Sequence, residues 1–181
     1  MSSSVAQSLV LRYLGAYPPT LQAQICELLQ DGGAGLAALL LRKYPGVHSI
    51  RSDTALYEYV TELKARHMRS APVLHKVAFD NTLHPVRNAL GMQINTSKIQ
   101  GRKLSARREV RIASLFKQAP EEFLRMISVH ELAHLRERNH DKAFYQLCQH
   151  LEPNYHQLEF DLRAYLVYAE FTGSRLWAQP Q

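Results

Sequence analysis

Three histidines and two glutamates fall within eleven residues, with His130-Glu131-Leu132-Ala133-His134 first and His140 last. On a helix, side chains four apart project from one face one turn apart, so His130 and His134 can reach a single metal ion. Glu131 is rotated away from that pair and is the wrong neighbour for a third ligand. It is well placed to take a proton from a metal-bound water. This H-E-x-x-H arrangement makes Glu131 the candidate general base, acting on a carbonyl or phosphoryl centre. A catalytic zinc takes three protein ligands and keeps one position open. The third candidate is His140, with Glu159 and, less favourably, His156 as rivals further along the chain. A second electrophile for the transition state is expected from Tyr145, Tyr155 or Arg102. His48, His67, His75, His84 and His150 have no ligand spacing.

The helix that carries the motif should start at Pro120-Glu121-Glu122, with proline in the first turn and acids at the positive end of the dipole. Phe123 and Ile127 continue the ridge of His130 and His134, and the pattern predicts a helix to about Arg138. A helix running straight on would carry His140 away from the metal. Asn139 tolerates a left-handed turn, so a reversal there is expected to bring His140 back. Asp141 can then cap a helix over 141–151, and another is predicted over 155–172. Upstream, hydrophobic periodicity predicts helices over 5–13, 20–29 and 36–43, and a fourth from Ser52 or Asp53 to about Arg69. Strand-like runs occupy 73–79, 90–95 and 109–116. Helices flanking a small sheet make the expected fold class α+β.

The chain has 181 residues, enough for one domain, with 46% hydrophobic and 21% charged residues. No run of 18 apolar residues exists, so no membrane span is expected. Cys26 and Cys148 form no metal or redox motif, which fits a cytoplasmic location. The net charge of +6 is concentrated in residues 98–117, where Lys98, Arg102, Lys103, Arg107, Arg108, Arg111 and Lys117 face one acid, Glu109. Such a stretch is either a solvated edge or a surface for phosphate, nucleic acid or an acidic substrate. Arg102, Arg107, Arg108 and Arg111 are the candidate substrate-binding residues.

Residues 130–144, HELAHLRERNHDKAF, resemble the signature of the YgjP-like zinc metallopeptidases, which are similar to the SprT-like and WLM proteases. In that pattern five residues separate H-E-L-A-H from a third histidine, here His140, and an aromatic follows four positions later, here Phe144. The resemblance implies a compact zincin-like core: an active-site helix, a small sheet with a substrate-binding edge strand, and a backing helix. It covers roughly residues 75–165; the expected organisation is a single domain, 1–181, with a zincin-like metal-binding core over 71–181 and a helical N-terminal region over 1–70. Family members carry R-W-G-S-C before the edge strand. Here Arg102-Lys103-Leu104-Ser105-Ala106 stands there, and only the arginine and serine fit. Glu137 occupies the position where metzincins have glycine, which excludes that class.

The expected function is a zinc-dependent metallohydrolase. The leading expectation is a metallopeptidase whose peptide or protein substrate adds to the strand near Val110. One alternative is a nucleotide phosphoanhydride hydrolase that holds phosphates with the basic segment. Another is a DNA-associated protease or adaptor that docks nucleic acid there.

Overall fold

The computed structural model describes residues 2–83 and 108–177. Four helices come first: α1 (Ser2–Leu14), α2 (Pro19–Glu27), α3 (Ala34–Lys43) and α4 (Asp53–His67). Two strands follow, β1 (Lys76–Asp80) and β2 (Glu109–Ala113), then a 3-10 turn over Ser114–Gln118. Three helices complete the chain: α5 (Glu121–Ala133), α6 (Lys142–Leu151) and α7 (Tyr155–Thr172). The fold class is α+β, with seven helices and a two-stranded parallel sheet among the described residues.

Local chemistry accounts for most of these boundaries. Pro19 opens α2, and the Ser52 hydroxyl accepts from the Ala55 amide to cap α4. Gly33 opens α3 at φ 90°, a left-handed conformation that disfavours side chains. A Cβ there would also come within 3.1–3.3 Å of Thr172 and Tyr168, so the glycine lets α3 approach the end of α7. In β2, Val110 and Ile112 are buried while Glu109 and Arg111 face outward, the alternation of a strand with one solvated side. Val77 pairs with Val110 across the sheet, and Phe79 with Ile112.

Three expectations need correction. The strand predicted over 109–116 ends at Ala113, because Phe116 is fully buried and the chain folds into a 3-10 turn to insert it. His48 holds that turn: its Nε2 donates to the Phe116 carbonyl at 2.7 Å, and its Nδ1 accepts from the Ile50 amide. The strand predicted from Val73 starts at Lys76, since Val73 is 70% exposed and outside the sheet. The helix predicted to Arg138 stops at Ala133. The strand predicted over 90–95 lies outside the described residues.

The apolar side chains from Ala6 to Trp177 form one cluster, so the first four helices share a core with the rest. Polar ties reinforce that packing along α7. Arg12 and Tyr13 of α1 both bond Glu170. Buried Asp161 accepts from Lys43, from the Tyr44 hydroxyl at 2.6 Å and from Gln157 at 3.0 Å. Trp177 donates its indole N–H to the Tyr44 carbonyl and packs on Phe123 and Tyr165. No described helix is long and apolar enough to cross a membrane.

Asp161→Ala should leave the Tyr44 hydroxyl without its acceptor and cost about 2 kcal/mol of stability. Tyr44→Phe, which removes the hydroxyl but leaves Asp161 its other donors, should cost about half as much. Urea unfolding of both variants checks this, and equal losses would mean that Asp161 contributes nothing beyond that one bond.

Candidate metal centre

His130 lies in the last turns of α5 and is 4% exposed, whereas His134 sits at the residue that ends the helix. The helix ends there in a tightened turn. His134 bonds back to the His130 carbonyl, and the amides of Arg136 and Glu137 both reach Ala133. The turn aims the Glu137 carbonyl at His134 Nδ1, 3.0 Å away. No described non-glycine residue has a positive φ, so the reversal expected from a left-handed Asn139 is made instead by the turn over 134–137. Asp141 then accepts from the Phe144 amide at 3.1 Å and starts α6, as its spacing suggests.

This path returns His140 to the other two histidines. One nitrogen of each of His130, His134 and His140 lies within 4.8 Å of those of the other two. His130 Nε2 and His140 Nε2 are 3.1 Å apart. Two imidazole nitrogens bound to one tetrahedral zinc stand about 3.3 Å apart, given Zn–N bonds near 2.0–2.1 Å. The tautomers also suit a metal. A carbonyl only accepts, so His134 Nδ1 must carry the proton that bonds Glu137, which leaves Nε2 with its lone pair. Burial holds His130 well below the usual imidazole range, and the nearby His134 and His140 push it the same way. His134 and His140 are also lowered, chiefly by burial. All three are therefore neutral near pH 7, the form in which an imidazole can bind a metal.

Phe144 is fully buried and its ring centre lies 4.6–5.0 Å from all three imidazoles, so it fixes their separation from below. Burial pushes the Glu131 carboxyl up to about 8. A bound cation would act in the opposite sense and favour the carboxylate.

The rivals for third ligand lie elsewhere. Glu159 gives Oε1 to Arg163 at 2.8 Å and is not in the three-histidine group. His156 packs its ring on Tyr145 and Tyr155. Of the electrophile candidates, Tyr155 is fully buried with its hydroxyl 2.7 Å from His130 Nδ1, on the opposite side of the ring from the Nε2 that faces His140. Tyr145 is half-buried beside His140. Arg108 precedes β2, accepts from the His75 amide, donates its own amide to His75 Nδ1 at 3.1 Å, and has a buried Nη1 with no hydrogen-bond acceptor among the described residues. Arg111 extends to Asp80 at 2.9 Å and Glu109 at 3.5 Å. Arg102 and Arg107 lie outside the described residues. The inner layer of Glu137, Cys148 and Arg163 is missing from the sequence reading. Only the four-residue spacing of Tyr155, Glu159 and Arg163 hinted at it.

The profile of the YgjP-like metallopeptidase domain matches residues 78–165. The chain is also 50% identical over 157 residues to the UTP pyrophosphatase of Escherichia coli (strain K12), covering 87% of this chain and 93% of the relative. No solved structure matches significantly. Family and relative both point to a hydrolase, and the family implies a metal. The leading expectation of a peptidase is overturned by that relative, which is named for the hydrolysis of a nucleotide.

His140→Ala should abolish tight uptake of a divalent ion, whereas Glu159→Ala should retain about one ion per chain by elemental analysis. Metal loss from the Glu159 variant alone would reverse the assignment. Because the three imidazole pKa values are lowered, protons should compete poorly, and metal affinity should hold as pH falls through 6.5. A chelator titration from pH 8 to 5 measures where the decline begins.

Proposed function

The chain belongs to the YgjP-like metallopeptidase-domain family, and on that footing we propose that it is a zinc-dependent nucleoside triphosphate pyrophosphatase, with UTP as the leading substrate. A three-histidine group in a chain half-identical to a UTP pyrophosphatase is the observation that carries this reading. We take the α+β arrangement of active-site helix, small sheet and backing helix to be zincin-like.

His130, His134 and His140 would hold the zinc through ring nitrogens, the donor type that suits this ion. When bound, zinc supplies a water of lowered pKa and neutralises charge on phosphoryl oxygens. The remaining steps belong to the chain. Glu131 accepts the proton of the attacking water and holds it on its carboxylate. Water oxygen bonds to the α-phosphorus, the bond to the α–β bridging oxygen breaks, and Glu131 returns the proton to the departing pyrophosphate. The products are a nucleoside monophosphate and pyrophosphate. The triphosphate is strongly anionic, and the seven basic residues over 98–117 carry the complementary charge. Arg108 is best suited among the described arginines, because its buried Nη1 lacks an acceptor that a phosphate oxygen would provide. Arg111 already has two carboxylates.

Glu131→Gln should keep its metal and lose about 10²- to 10⁴-fold in kcat on UTP. Wild-type activity should fall as pH drops through the pKa of Glu131, which a bound cation places below about 8. Phosphorus NMR of the products should show UMP and pyrophosphate. UDP with orthophosphate would overturn the assigned bond, and full activity of Glu131→Gln would overturn the mechanism.

A further inference from the structure

His130 has two ring nitrogens and only one arrangement of its proton that ligates a metal. Nε2 faces His140 and the shared centre, so the proton must sit on Nδ1. Nδ1 lies 2.7 Å from the Tyr155 hydroxyl, deep in the protein. A tyrosine hydroxyl can donate or accept. If it donates to Nδ1, the imidazole proton is forced to Nε2 and the ligand is blocked. If it accepts from Nδ1–H, its own proton needs another acceptor, since a buried unpaired O–H costs about 1–3 kcal/mol. The position for one is filled by Cys148, fully buried on α6 and the thiol that couples to Tyr155 there.

We propose that Tyr155 and Cys148 form a two-step relay, His130 Nδ1–H to Tyr155 Oη and Tyr155 O–H to Cys148 Sγ, that holds His130 in its metal-ligating tautomer. Tyr155 is then a positioning residue, and the cysteine sets the direction of its hydroxyl. The relay has no thiolate chemistry: burial pushes the Cys148 thiol up to about 12, so it stays protonated and serves as a weak acceptor. Helix placement keeps the three groups together. Cys148 lies one turn beyond Phe144 on α6, the ring that touches all three histidines, and Tyr155 opens α7.

The relay rests on the reading of the three histidines as metal ligands, and its test separates the two. Zinc affinity is measured by competition with a chromophoric chelator for wild type, Tyr155→Phe and Cys148→Ala. Tyr155→Phe should bind zinc about 10- to 100-fold more weakly, the usual loss when a ligand's outer partner is removed. Cys148→Ala should lose affinity less, but measurably. Wild-type affinity in Tyr155→Phe overturns the relay, and wild-type affinity in Cys148→Ala overturns the cysteine's part in it. Nitrogen-15 NMR of the histidines in metal-free wild type tests the relay without any variant. His130 should carry its proton on Nδ1, and a proton on Nε2 refutes the proposal. Failure of wild type to take up zinc would overturn the ligand reading alone, while the NMR tautomer still decides the relay.

Discussion

Three neutral imidazoles packed with their nitrogens pointing at one another would repel through their lone pairs unless a cation or a shared proton sits between them. Much of the local structure around residues 130–155 follows from meeting that condition. α5 must end at Ala133, because a longer helix would carry His140 away along its axis. The turn that ends it also presents the Glu137 carbonyl, which pins the His134 tautomer. Asp141 caps the next helix so that Phe144 lands beneath all three rings. One stretch of chain therefore supplies the three imidazoles, their orientation and the apolar floor beneath them.

α7 is the brace behind that stretch. Tyr155, Glu159 and Arg163 recur every four residues and share one face of the helix. Tyr155 reaches His130, Glu159 is joined to Arg163, and Arg163 donates to the Tyr13 carbonyl at the end of α1. The same face thus touches the three-histidine group at one end and α1 at the other. Arg12 and Tyr13 on Glu170, and Lys43 and Tyr44 on Asp161, anchor other points of the same helix. The Tyr44–Asp161 bond is buried and costly to leave unmade, so the end of α3 is tied to α7 there.

H-E-x-x-H chemistry names a metal, an activated water and a base, and it is indifferent to whether the electrophile is carbon or phosphorus. The resemblance to metallopeptidases supplied the carbonyl expectation, and the half-identical UTP pyrophosphatase corrects it. What separates the two chemistries lies outside the motif. A triphosphate needs several cationic donors, and the sequence concentrates seven basic residues over 98–117.

Sequence alone placed His130, Glu131, His134 and His140 in one short segment and marked most helices, because those depend on local spacing. Four-residue steps put His130 and His134 on one face, and caps such as Ser52 and Asp141 act within a turn of themselves. It also identified α7 to the residue, since a long amphipathic period is a local signal. Tertiary structure decided what depends on distant partners. Whether the chain turned at Asn139 or earlier was settled by where the rings had to meet. The strand ended at Ala113 because Phe116 was needed in a core built from other segments. Tyr155 moved from candidate electrophile to a place behind His130, and Glu159 from candidate ligand to partner of Arg163. Periodicity shows which face of a helix is buried, but not what lies across from it.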